Sequence, residues 1–232
     1  APMEGLTGWR WRQVQHEMFG RAALYVTPFV SPNGNFSFQR KELEELNPGR
    51  NRGIPVVPQI LTNRAEYFVW AAKECRSRGW AQVDLNLGCP SGTVTGKKKG
   101  AGLLRQPELL RQLLDGIFDA LPVMKISVKT RIGWERAEEW PALLALLETY
   151  PICRLTVHPR VRTQFYKGTA DREVFRWTAE HTALPLCYNG DVTTVRDLWE
   201  MGEAFPDDAV MVGRGLVADP SLLRQATGGP AA

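Results

Sequence analysis

The sequence predicts a (β/α)8 barrel, the TIM barrel. Short apolar, β-branched runs alternate with longer amphipathic ones along all 232 residues. Several of the short runs are almost wholly apolar, and polar or reactive side chains gather just past their C-terminal ends. Strand–helix alternation with short connections builds a parallel sheet through right-handed crossovers. Strands covered on both faces need continuous apolar character, and about 250 residues is the usual length of such a barrel.

The strand-like runs are Ala22–Val30, Ile54–Leu61, Gln82–Gly88, Ile126–Arg131, Arg154–His158, Leu184–Tyr188 and Ala209–Val212. Helical periodicity covers Arg64–Arg78, Pro107–Leu121, Ala137–Tyr150, Arg172–His181, Thr194–Gly202 and a short stretch from Ser221. The spacing of Leu109, Leu110, Leu113, Leu114 and Ile117 carries the second of these helices. The eighth strand, first in chain order, would end at Ala1-Pro2-Met3, so the chain is read as a single barrel domain over residues 1–232 with its first strand truncated. An open doubly wound sheet is the competing architecture, but no GxGxxG follows an early strand.

Composition is that of a globular protein, 44% hydrophobic and 23% charged, with a formal charge of +4 that admits a nucleic-acid partner without requiring one. Four cysteines stand far apart with no CxxC pair, against a disulfide framework or a zinc site and in favour of a reducing cytoplasm. No stretch has the length and apolarity of a membrane span. No metal is expected, and a monomer is.

The active site of a barrel lies at the C-terminal ends of its strands. The residues found there are Pro2-Met3, Gln59, Asn86 to Cys89, Lys129 and Arg131, His158 and Arg160, Asn189-Gly190-Asp191 and Gly213-Arg214-Gly215. The last two groups follow strands seven and eight, where backbone N–H groups commonly hold phosphate. Glycine lets a backbone approach an anion, and Arg214 adds a charged planar donor; the plainer reading is that the glycines only turn the chain. A lysine at a barrel mouth needs an anion or an electron-rich ring beside it, which marks Lys129, and His158 sits next to it. Cys75, Cys153 and Cys187 fall in helix or strand and read as small buried hydrophobes. Cys89 differs: it lies between Gly88 and Pro90 past a strand end, where a thiol is accessible.

Ala1-Pro2-Met3-Glu4-Gly5, Asn86-Leu87-Gly88-Cys89-Pro90 with Gly100-Ala101-Gly102-Leu103-Leu104, Val128-Lys129-Thr130-Arg131, Val157-His158-Pro159-Arg160, Asn189-Gly190-Asp191 and Val212-Gly213-Arg214-Gly215 together resemble the tRNA-dihydrouridine synthases. The NxGCP block is the most specific part. The resemblance implies an FMN-binding barrel whose flavin, reduced by NADPH, passes a hydride to C6 of a uracil in tRNA while Cys89 protonates C5. It implies that Asn86 orients the uracil, that Pro2, Met3, Gln59, Lys129 and His158 lie about the flavin ring, and that Asn189, Gly190, Asp191, Gly213 and Arg214 serve its phosphate end. Arg131 and Arg160 are expected to face RNA. Lys97, Lys98 and Lys99, with Arg10, Arg12, Arg162 and Lys167, are further cations on the same side and are expected to contact RNA phosphates; the plainer reading is solvated surface charge. The family's C-terminal helical tRNA-binding domain is expected to be absent from this chain. The competing functions are another FMN-barrel oxidoreductase of the dihydroorotate dehydrogenase kind and a non-catalytic RNA-binding barrel.

Overall fold

The computed structural model describes residues 1–20 and 22–231. Its strands are β1 (Tyr25–Val26), β2 (Val56–Val57), β3 (Gln59–Ile60), β4 (Gln82–Leu87), β5 (Lys125–Arg131), β6 (Arg154–His158), β7 (Leu186–Tyr188) and β8 (Ala209–Val210). All pair in parallel, and β3 to β8 follow one another in sequence order across one sheet. β1 pairs with β2, and Val30 bridges to Ile60, so residues 25–30 run beside 56–61 as one continuous edge. Pro58 divides β2 from β3 because it has no N–H to give the ladder. At the far edge the nitrogen of Ala1 donates to Val212 O, which puts the N-terminal segment against the residues past β8. This is the strand sequence of a TIM barrel.

The helices are α1 (Trp9–Phe19), α2 (Arg40–Glu45), α3 (Ala65–Ser77), α4 (Gly92–Thr95), α5 (Pro107–Ala120), α6 (Trp140–Leu147), α7 (Arg172–His181), α8 (Val195–Ala204), α9 (Arg214–Ala218) and α10 (Leu222–Ala226). α5 shows why the long ones form. Pro107 at its first turn has the right φ and lacks an N–H that would go unused. Leu110, Leu113, Leu114 and Ile117 then fall on one buried face, each worth roughly 1.5–3 kcal/mol of burial. That face packs on α3, where a Cβ at Gly116 would stand 2.6 Å from the Ala65 Cβ.

The pleat corrects the expectation that several strands are almost entirely apolar. On β4, Val83, Leu85 and Leu87 join the apolar core beneath the helices, while Asp84 and Asn86 project to the other face. Registry continues that second face through Ser127 and Lys129 on β5 and Thr156 on β6. The barrel interior is therefore polar and the helix-facing layer apolar.

Two further expectations change. The strand foreseen at Ala22–Val30 contracts to β1 and an isolated bridge at Val30, with Pro28 between the two. α1 was not foreseen because it buries Arg12 and Gln15 instead of an apolar stripe. Arg12 donates to Thr7 O at 3.0 Å, to Glu45 Oε2 at 2.8 Å and to Asn51 Oδ1 at 2.8 Å. It is a tie within the fold and not a cation offered to RNA.

Candidate active site

One cavity of about 640 Å³ opens at the C-terminal ends of the strands, within the size range of small-molecule and cofactor sites. Pro2, Met3, Gln59, Asn86, Cys89, Lys129, Arg131, His158, Asn189, Gly190, Asp191, Gly213 and Arg214 all line it. Arg160 and Lys97 to Lys99 do not belong to its wall.

Cys89 is held by its own strand. Asn86, the last inward-facing residue of β4, accepts the N–H of Gly88 at 3.1 Å and of Cys89 at 2.9 Å through Oδ1. Its Nδ2 donates to Gln59 Oε1 at 2.7 Å, and Gln59 Nε2 donates to buried Asp84 at 2.7 Å. The Gly100–Gly102 block packs under the same loop: Ala101 N–H donates to Cys89 O at 3.1 Å, and a Cβ at Gly102 would meet Thr95 O at 2.8 Å. Burial pushes the Cys89 thiol up, against the downward pull of a backbone hydrogen bond at Ser91 and of Arg131 and Lys129. The thiol is thus protonated at neutral pH.

Lys129 stands beside Asn86 in register. Burial first, then Arg131, draws its ammonium down to about 8, with Asp84 opposing. It enters no salt bridge among the described residues. His158 Nε2 receives a hydrogen bond from Arg160 Nη1 at 3.0 Å. Arginine can only donate, so that nitrogen is bare and the proton sits on Nδ1. Burial and the charges of Lys129, Arg131 and Arg160 hold the imidazole neutral, its pKa far below the usual value.

Arg131 and Arg160 depart from expectation. Both are buried. Arg131 donates to Gly88 O, Val161 O and Phe165 O at 3.1, 3.0 and 2.7 Å. Arg160 donates to Lys167 O and Gly168 O and pairs with Asp191 at 2.5 Å. Their guanidinium donors clamp the 158–168 loop to its neighbours, so neither presents a free fork to RNA. Arg162 is similarly engaged, with Pro90 O and Thr95 Oγ1 at 3.1 and 3.2 Å.

At the other end, Asp191 takes Arg160 on one oxygen and Arg214 on the other, the latter at 2.9 Å with Arg214 half exposed. The glycines here differ in purpose. A Cβ at Gly190 would stand 2.5 Å from Ala170 Cβ, so that glycine serves packing. At Gly213 it would make only an ordinary 3.4 Å contact with Ala1, leaving backbone open at the N-terminus of α9.

Sequence reasoning missed Tyr166, which lines the cavity with its ring under Arg131 at 5.5 Å and Arg214 at 5.0 Å. Its signal was an aromatic pair, Phe165-Tyr166, inside an arginine-rich segment. Lys97 and Lys98 are exposed, and Lys99 donates to Ser31 Oγ at 3.1 Å. Among the described residues there is no cluster of His, Cys, Asp or Glu suited to a metal, and no helix long and apolar enough to cross a membrane.

Fold and cavity define a TIM barrel whose pocket at the strand ends sets Lys129, Arg131 and Arg214 beside the thiol of Cys89. Comparison with known proteins supplies the family: the dihydrouridine synthase family model matches residues 1–229, and the chain belongs to that family. It is 33% identical over 221 residues to the "Probable tRNA-dihydrouridine synthase" of Rhizobium leguminosarum bv. phaseoli, covering 95% of this chain and 68% of the relative. It is 31% identical to the tRNA-dihydrouridine(16) synthase of Neisseria meningitidis serogroup A, covering 92% of this chain and 60% of that protein. Among solved structures, a variant of NCR from Zymomonas mobilis superposes with a TM-score of 0.66 at 15% identity, covering all of this chain and 86% of the other. The aldolase QR15 gives 0.63 at 12% identity, covering 97% and 91%. At such identities these two show the shared barrel alone.

Proposed function

We propose that this chain is the FMN-binding barrel of an enzyme that reduces uridine to 5,6-dihydrouridine in tRNA, with NADPH as reductant. The observation that carries the reading is a thiol kept protonated by burial in the same cavity as Lys129, which has no ion-pair partner among the described residues. The residues fit an anionic, planar cofactor. Lys129 supplies a cation, His158 a neutral Nδ1–H donor, and Gly213 with Arg214 open backbone and a half-exposed guanidinium.

Held by these residues and reduced by NADPH, FMN would supply the hydride for C6 of the uracil. The enolate-like charge left on the base then needs a proton at C5. Cys89 gives that proton as a general acid, which suits a thiol with a pKa above neutral, and its thiolate is reprotonated from solvent. Asn86 retains one amide hydrogen beyond its bond to Gln59 and uses it to orient the uracil. Pro2, Met3, Gln59, Lys129 and His158 lie about the ring system; Asn189, Gly213 and Arg214 serve the phosphate, with Asp191 orienting Arg214 and Gly190 allowing the close packing on Ala170. A uracil stacked in RNA cannot reach this depth, so the base is flipped out. Lys97 and Lys98 then meet phosphates at the rim.

The test is direct. The purified protein should carry FMN absorbance, and incubation with NADPH should raise the dihydrouridine content of tRNA. Cys89→Ala should keep the flavin and its reduction by NADPH while losing oxidation by tRNA. Equal tRNA-driven oxidation in variant and parent overturns the assignment of Cys89. A colourless protein that binds tRNA favours the non-catalytic barrel instead.

A further inference from the structure

The tether on Cys89 has an origin deeper in the barrel. Asp84 is almost completely buried, two residues before Asn86 on the same strand face. It accepts Ser127 Oγ at 2.6 Å and Gln59 Nε2 at 2.7 Å. Gln59 Oε1 then accepts from Asn86 Nδ2 at 2.7 Å, and Asn86 Oδ1 accepts the N–H of Gly88 and Cys89.

Two amides in a row can each point either way, and their ends look alike in size and shape. Here both orientations are forced. The N–H of Cys89 can only donate, so Asn86 must turn its oxygen outward. Its Nδ2 therefore faces Gln59, which must answer with Oε1 and is left with Nε2 pointing inward. That nitrogen is satisfied only by an acceptor, and the acceptor is Asp84. We propose that Asp84 is a positioning residue for the thiol at Cys89: by supplying a buried acceptor to Gln59 it locks the Gln59–Asn86 amide chain into the one polarity that holds the Cys89 backbone. The inference rests on the reading of Cys89 as the acid, but the relay itself is a property of the folded chain.

What the relay needs is an acceptor oxygen and not a charge. In Asp84→Asn the new Oδ1 can still face Gln59, because Ser127 can reverse its hydroxyl, accept from the new amide and donate to Val83 O, which already lies 3.5 Å away. In Asp84→Ala no acceptor remains, and Gln59 is free to turn. The alternative role for Asp84, offsetting the charge of Lys129, predicts that Asn and Ala are equally harmful.

The experiment follows hydrogen exchange of the peptide spanning Gly88 and Cys89, together with the alkylation rate of Cys89 read by mass spectrometry. Both are measured with excess FMN and again after the flavin is stripped, so flavin loss cannot imitate the effect. Asp84→Ala should quicken both about five- to tenfold, the factor that one hydrogen bond's net worth corresponds to; Asp84→Asn should stay near the parent. Should Asp84→Ala not fold, Gln59→Met breaks the same chain at its middle and should loosen the peptide alike. Parent-like exchange in Asp84→Ala, or in Gln59→Met, overturns the proposal, as does Asp84→Asn matching Asp84→Ala. The dihydrouridine assay of Cys89→Ala stands apart, so a failed acid assignment and a failed relay give different results.

Discussion

Asn86 Oδ1 accepts the backbone N–H of Cys89 at 2.9 Å, so the last inward-facing residue of β4 also fixes the residue proposed to donate the proton. Asn86 makes three hydrogen bonds, two to the loop and one to Gln59. Asn86→Asp keeps the acceptor but sets two oxygens against each other at Gln59. It should cost roughly 1–3 kcal/mol, the penalty of an unsatisfied buried polar group, read as a lower urea midpoint at unchanged slope.

Arg160 and Arg214 share Asp191 but differ in burial, at 1% and 52% side-chain exposure. Arg160→Ala removes the donors to Lys167 O, Gly168 O, Asp191 and His158 Nε2, and an unsatisfied buried polar group costs about 1–3 kcal/mol, whereas exposed pairs contribute about 0–1 kcal/mol. Arg160→Ala should therefore unfold readily in denaturant. Arg214→Ala should melt near the parent yet bind FMN roughly ten- to a hundredfold more weakly, having lost a charge-assisted donor. Chemical denaturation and fluorescence titration with FMN check the two halves.

Lys129 gives a pH signature. Its ammonium titrates at about 8 in the folded chain and at the ordinary 10.5 when unfolded. Between those values the unfolded chain holds the extra proton, so stability of the flavin-free protein should rise with pH from about 8 towards 10.5. Lys129→Met should flatten that rise and stabilise the flavin-free protein at pH 7, while weakening FMN. Urea titrations at several pH values measure the first effect.

Lys97 and Lys98 are exposed, while Lys99 is partly buried against Ser31. Changing all three to Gln should lower the log–log salt slope of tRNA binding by roughly 1.4–1.8, two phosphate contacts' worth of counterion release. Fluorescence anisotropy across a salt series reads the slope, and FMN affinity should hardly move.

The cavity wall was legible in the sequence because a parallel barrel puts every strand's C-terminal end at one mouth, so position alone gathers Gln59, Asn86, Cys89, Lys129, His158 and Arg214. The arginines were not. Whether Arg131 and Arg160 meet solvent or their own loop carbonyls depends on how the 158–168 loop folds back, which strand order does not encode. Tyr166 was overlooked for the same reason, its exposure being a property of that loop.

By itself the sequence determined the alternation of strand and helix, and with it the barrel, through short apolar β-branched runs and a 3.6-residue periodicity that act locally. It also set the polar face of β4, since Asp84 and Asn86 alternate with Val83, Leu85 and Leu87. Only the tertiary structure decided that Asp84, Gln59 and Asn86 form one chain of hydrogen bonds. That result requires two strands to meet in a particular register, Gln59 opposite Asp84, and a hydrogen bond tests distance and direction between groups whose separation along the chain carries neither.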